Sequence, residues 1–177
     1  MTGSRAERRR REKALAALYR RIPAFECIPG CHDCCGVVPF SPAEWETVAD
    51  QASVPTIEVP MPSGAAVHLA ASQRGLLQQL AAEGPESLLA ASGTDKSAPV
   101  GQTCLRCVFV TDRGCGVHPD RPLLCRMFGT VDDPKLTCRH GRGPRRKLSP
   151  GEADEIALAY FGLIGGDADL TGSRQVP

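Results

Sequence analysis

A chain of 177 residues with 42% hydrophobic content can bury one real core, but aromatics make up only 5%, so that core must be mostly Leu, Val and Ala. A formal net charge of +1 excludes a global field that selects a charged partner, and no apolar run approaches the ~20 residues of a membrane span. The 18 glycines and 15 prolines imply many turns and short elements, a composition that gains from an internal staple.

Residues 4–21 read as a helix, with Leu15, Leu18, Tyr19 and Ile22 on one stripe and Pro23 closing it. Residues 1–22 carry eight Arg or Lys against two Glu, which leaves the remainder net acidic. The run Arg8 to Arg11 is either a solvated helix end or a contact for nucleic acid or an acidic partner. No aromatic residue is interleaved with it, which argues against single-strand binding. The apolar part, Ala14 to Tyr19, is shorter than the ~7–15 residues of a signal-peptide core, so a cytoplasmic protein with reduced thiols is expected.

Next comes C-I-P-G-C-H-D-C-C, with Cys27, Cys31, Cys34 and Cys35 inside nine residues. Thiolates are soft anionic ligands suited to zinc and iron–sulfur clusters. The Cys31-x-x-Cys34 spacing lets one turn aim two sulfurs at one point, and Pro29 and Gly30 suit that turn. Cys34 and Cys35 are adjacent, so in extended chain they diverge: one ligates while the other packs, or they serve different metal atoms. Structural disulfides would need an oxidising compartment, of which the sequence gives no sign.

After Val37 to Phe40, Ser41-Pro42-Ala43-Glu44 forms a capping box that opens a helix of about ten residues, with Trp45, Val48 and Ala49 inward. Ile57, Val59, Val67 and Leu69 mark strands that Pro55, Pro60 and Pro62 keep short or at an edge, and His68 between apolar neighbours reads as structural. Ser72 is expected to cap a helix over 73–82 and Pro85 to begin one over 85–91; residues 92–102 read as a polar linker.

The second cysteine block holds Cys104, Cys107, Cys115 and Cys125, followed by Cys138. Cys107 to Val110 and Cys115 to His118 are expected as the two strands of a hairpin turned by Asp112-Arg113-Gly114, which brings Cys107 and Cys115 near one another. Leu123 to Phe128 should form a helical turn bearing Cys125, flanked by Arg121 and Arg126, whose charge would favour thiolate. His118 is either a nitrogen ligand or a structural histidine. Residues 139–147, Arg139 to Lys147, form a second basic run, either solvated or met by an acidic or phosphate partner. A second capping box, Ser149 to Glu152, opens a helix with Ile156, Ala159, Tyr160 and Leu163 on one stripe, ended by Gly165-Gly166.

With both blocks in view the chain resembles the YkgJ-like cysteine-cluster family, described as zinc- or iron-chelating, whose first motif is C-x-x-C-x-x-C-C and whose second ends in R-P-x-x-C-R. Arg121-Pro122-Leu123-Leu124-Cys125-Arg126 matches the latter residue for residue, and Cys31, Cys34 and Cys35 match the end of the former. Cys27 departs by one extra residue, Cys107 and Cys115 match the earlier cysteines of the second motif, and Cys104 is an addition. A similar cluster occurs in flagellin lysine methylases, but the length of a methyl-donor domain is missing here.

These readings together predict a small irregular α+β domain, with several helices and a short hairpin around a cysteine-ligated metal centre. Residues 1–24 would be a basic helix, 25–165 the metal-binding domain and 166–177 a polar tail. The expected ligands are Cys27, Cys31, Cys34, Cys35, Cys107, Cys115, Cys125 and Cys138. Eight or nine thiolates exceed the four of one structural zinc, so they hold one cluster with spare thiols or two metals; an iron–sulfur cluster is favoured, with zinc as the close alternative. An accessory or redox-related role is expected. The alternatives are a cluster-dependent protein-modifying enzyme and a zinc-stabilised adaptor that uses its basic runs. No G-x-S-x-G, H-E-x-x-H or phosphate-cradling glycine motif supports the enzyme.

Overall fold

The computed structural model of the chain describes residues 4–26, 28, 31, 36–83, 107–138 and 140–165. The helix expected over 85–91, the linker over 92–102, Cys27, Cys34, Cys35, Cys104, Arg139 and the tail over 166–177 lie outside the described residues. The fold is α+β, as expected.

Helix α1 (Arg5–Arg21) starts at Ser4, whose hydroxyl accepts from the Glu7 amide, and stops where Ile22 turns extended ahead of Pro23. Its stripe docks: Leu18 and Ile22 are buried, and Leu15 and Tyr19 pack beside them. Its basic half stays at the surface, where Arg8 pairs with Glu12 and Arg11 with Glu7 one turn apart.

Strand β1 (Pro39–Phe40) leads into α2 (Pro42–Val48), and a single 3-10 turn, Ala49–Gln51, completes the expected ten residues. The Ser41 box is formed, with both Ser41 and Glu44 buried. Strands β2 (Thr56–Pro60) and β3 (Ala66–Ala70) pair antiparallel, and β1 adds to the far side of β3, giving the order β1-β3-β2. The prolines Pro39 and Pro60 sit in the two outer strands, where a missing N–H does least harm. Helix α3 (Arg74–Glu83) follows a 3-10 turn, Ala71–Gln73, so Ser72 lies inside that turn rather than capping the helix.

The hairpin is shorter than its apolar pattern predicts. Strands β4 (Val110–Thr111) and β5 (Gly114–Cys115) pair over two residues each, and Gly114 takes φ +102° at the turn. Val108 and Phe109 are both buried, outside either strand of the hairpin. The chain turns there: the Val110 amide donates back to the Cys107 carbonyl and the Gly116 amide to that of Phe109. The return strand stops at Cys115, and His118–Asp120 form a 3-10 turn instead.

Helix α4 (Leu123–Met127) carries Cys125, and α5 (Pro150–Gly165) opens on the second capping box. The buried line of α5 is Ala153, Ile156, Tyr160 and Ile164; Ala159 is exposed and Leu163 half-buried. Spacings of three, four and four hold one face, and Ala159 sits about 100° round from Tyr160. One core lies between α1, α4 and α5, closed by Val131 and Leu148. A second gathers Phe40, Val48, Val108, Phe109 and Val117 between the sheet, α2 and the hairpin. Among the described residues no helix is long and apolar enough to cross a membrane.

Candidate metal centre

Of the cysteines expected to ligate, Cys31, Cys107, Cys115, Cys125 and Cys138 are described, and all are half-buried. Cys107 and Cys115 are brought together. Cys115 is in β5 opposite Val110, while Cys107 closes the turn at the hairpin's base and makes an isolated bridge to Leu69 of β3. Both pack against the Phe40–Phe109 core. Burial pushes the Cys107 thiol up to about 11; the Phe109 amide works against that rise, and the neighbouring Cys115 adds to it. Without a metal Cys107 is therefore a neutral thiol, and a cation that replaces its proton removes that burden.

Cys125 is set by a different device. Its helix begins at Leu123, whose amide donates to Glu44 Oε1 at 2.8 Å. The same oxygen accepts from the Tyr19 hydroxyl at 2.6 Å. Oε2 accepts from the Ser41 amide at 2.9 Å, the Ser41 hydroxyl at 2.6 Å and the Tyr160 hydroxyl. One carboxylate thus ties α1, α2, α4 and α5 together. Burial, and then the nearby Glu44 charge, hold both phenols well above the ordinary tyrosine range. Arg126 clamps the turn before Cys125: Nε donates to the Arg121 carbonyl at 2.9 Å, Nη2 donates to that of Pro119, and the guanidinium lies 4.8 Å over the Tyr19 ring.

The residues on either side of the 27–35 segment are seated on these same parts. Phe25 lies against Gly129, just beyond α4: a Cβ at Gly129 would fall 2.7 Å from its ring. Gly129 has φ +79° and donates its amide to Leu136, and a Cβ at Gly143 would come within 2.9 Å of its carbonyl. Residue 129 must be glycine on both counts of space and conformation. The Gly129–Leu136 bond also folds the 133–137 turn, which leads into Cys138, back onto the end of α4. On the other side, Val37 packs with Leu69, and Val38 with the cluster that includes Cys107 and Cys115.

Among the described residues, no three Cys, His, Asp or Glu side chains gather in a way that could hold a metal ion. Cys31, Cys107 and Cys125 do not by themselves make a three-sulfur group. The donor chemistry still fits a thiolate centre: a sulfur pair at the hairpin, a third thiol on a braced helix, and a four-cysteine segment whose two flanks rest on each.

Three features escaped sequence reasoning. Glu44 reads locally as one half of a capping box, and nothing in its neighbourhood announces two distant tyrosines. His68 is structural, as expected, but it stacks flat on Trp45, with centroids 3.4 Å apart and planes 2° from parallel, among Phe40 and Phe109. Burial lowers its basicity, and Glu58 across the strand pair opposes that fall. The third is the state of His118 and Arg121: His118 Nε2 and Arg121 Nε are buried without a hydrogen-bond partner. Burial first, then Arg121 and Arg126, lower the basicity of the His118 imidazole.

A family model described as CxxCxxCC, a putative zinc- or iron-chelating domain, matches residues 26–142. The chain belongs to that family, and metal chelation through its cysteines follows from membership. No curated protein and no solved structure matches the chain.

Proposed function

We propose that this member of the CxxCxxCC family holds one metal–thiolate centre built from both cysteine blocks, with an iron–sulfur cluster ahead of zinc, in an accessory or redox-related role. What supports the reading is the seating of the residues around 27–35. Phe25 rests at the end of the Cys125 helix, and Val37 and Val38 rest beside Leu69 and the Cys107–Cys115 pair. The stretch of chain that joins those two seats carries Cys27, Cys31, Cys34 and Cys35 in its sequence. Joining them closes a loop of about seventy residues, and the bound metal contributes folding free energy by holding it shut. Cys107, Cys115, Cys125 and Cys138 complete a pool of eight candidate thiols, from which one cluster takes four, with Cys104 outside it.

The adaptor reading gains little from the basic runs. Arg8 and Arg11 are paired within α1, Arg146 with Glu152, and Lys147 lies 3.7 Å from Asp132.

Purification without oxygen, followed by elemental analysis and an absorption spectrum, tests the proposal. Iron with labile sulfide and a broad visible band supports the cluster; a colourless protein with stoichiometric zinc supports the other metal. A preparation that retains neither and takes up neither on reconstitution ends the reading. Cys34→Ser and Cys125→Ser should each lower metal content, since both blocks feed one centre.

A further inference from the structure

The bridge from Cys115 to Cys125 has an ordered backbone. The Asp120 amide donates to the Val117 carbonyl at 2.9 Å, and the Arg126 amide to that of Pro122 at 3.2 Å. The Arg126 side chain spans the carbonyls of Pro119 and Arg121, the Tyr19 hydroxyl reaches Arg121 at 3.3 Å, and Glu44 holds the Leu123 amide. Within this well-satisfied segment two side-chain nitrogens are left over: Nε2 of His118 and Nε of Arg121, each buried and without a partner among the described residues. Only Ser63 Oγ and Gln73 Oε1 share that state among the described residues. Those two belong to the 61–64 turn and to the turn before α3.

A buried polar group without a partner is disfavoured, and such groups in native proteins generally meet an ion or water that completes them. The Nε of arginine carries a hydrogen and no lone pair to offer, so its missing partner is an acceptor. Both nitrogens belong to the short bridge between two expected ligands, His118 three residues after Cys115 and Arg121 four before Cys125, so one electron-rich body at those thiols can serve both. A centre ligated by four thiolates is such a body. It bears net negative charge, and its sulfurs take N–H donors that stabilise that charge.

We propose that Arg121 Nε–H and His118 Nε2–H donate hydrogen bonds to the sulfurs of the thiolate centre, and so strengthen metal binding without ligating. This rests on the centre proposed above. Arg121 belongs to the R-P-L-L-C-R run, and the backbone clamp from Arg126 and Tyr19 fixes where its side chain starts. The two donors would leave the sulfurs less basic, so protons compete less well with the metal.

The test uses the full chain, reduced and metal-free, titrated with cobalt(II) as the probe. The intensity of sulfur-to-cobalt charge transfer counts thiolate ligands, and the visible ligand-field bands shift when nitrogen replaces sulfur. Wild type is compared with Arg121→Gln, Arg121→Lys, His118→Phe and His118→Gln, the last keeping an N–H donor. Expected is the same spectrum in all five, with affinity about tenfold weaker in Arg121→Gln and His118→Phe and largely regained in His118→Gln, in the range seen when partners of metal ligands are removed. Arg121→Lys keeps the charge but loses the planar fork, and falls between wild type and Arg121→Gln. Equal affinities overturn the inference. So does a changed ligand-field spectrum in His118→Phe, which would make His118 a ligand. Should Arg121→Gln or His118→Phe lose its native circular dichroism, Arg121→Lys decides alone, and wild-type affinity in it overturns the inference. Wild type that shows no thiolate charge transfer refutes the underlying centre instead, which separates the two failures.

Discussion

Replacing Glu44 with Gln changes one oxygen into an NH2 group at the point where five donors converge. If the amide oxygen takes the place of Oε1, it keeps the Leu123 amide and the Tyr19 hydroxyl. The NH2 then faces Ser41 and Tyr160. The two hydroxyls can rotate and accept, but the Ser41 amide cannot: it keeps only its second acceptor, the Tyr160 hydroxyl at 3.0 Å, and faces another donor where the carboxylate stood. Losing that bond to a charged acceptor costs about 1.5–3 kcal/mol, and exchanging the other charge-assisted bonds for neutral ones costs about 1 kcal/mol more. A total near 3 kcal/mol is a large part of the ~5–15 kcal/mol that folds a domain. At ~2–4 °C per kcal/mol for a chain of this size, the melting temperature should fall by about 6–12 °C. Thermal melts by circular dichroism on reduced, metal-free protein measure this. A fall of less than about 2 °C would show that the tyrosines and Ser41 do not depend on the carboxylate, and the hub argument would be wrong.

Gly129→Ala should destabilise by about 2 kcal/mol, since φ +79° is unfavourable for a residue with a side chain and the new methyl meets the Phe25 ring. Metal content should drop with it, because Phe25 leads into Cys27; denaturant titration and elemental analysis read both, and intact metal with lost stability would detach Phe25 from the centre. In alkali, Tyr19 and Tyr160 have folded values raised above the ordinary 10.0, so their contribution is complete below pH 10 and is lost as pH rises above it. Urea midpoints measured from pH 7 to 11 on a variant with all nine cysteines changed to serine should therefore be flat and then fall; a midpoint that rises above pH 10 contradicts the assignment. In metal-free native protein Cys107, its thiol raised to about 11, should alkylate at least about tenfold more slowly at pH 8 than in denatured chain, as site-resolved mass spectrometry can measure, and equal rates would deny its burial.

Patterns carried by neighbours in sequence proved legible. Ser41 and Ser149 start helices because the cap is a matter of three residues, and Leu18 and Ile22 dock because a 3.6-residue period needs only one helix. The hairpin was overextended because Val108 and Phe109 look like strand residues, while what decides their conformation is a core built by Phe40, Val48 and Val117. The apolar spacing points Ala159 inward, but the face of α5 buried in the core with α1 carries Ile164 instead. The spacing of the cysteines pointed to the chelating family at once, yet not to the residues that brace the Cys125 helix. Glu44 lies 25 residues after Tyr19 and 116 before Tyr160, and no local rule reaches that far.

Trp45 is the only tryptophan in the chain, and it lies flat on His68 in the cluster that also holds Cys107 and Cys115. That makes the protein its own optical gauge. Light absorbed by Trp45 is emitted within a few side chains of the proposed centre. Iron–sulfur chromophores absorb across that emission and drain it, whereas zinc has a filled d shell and is transparent to it. Loading one protein with one metal or the other would write the metal's identity into the brightness of a single indole, with no label added.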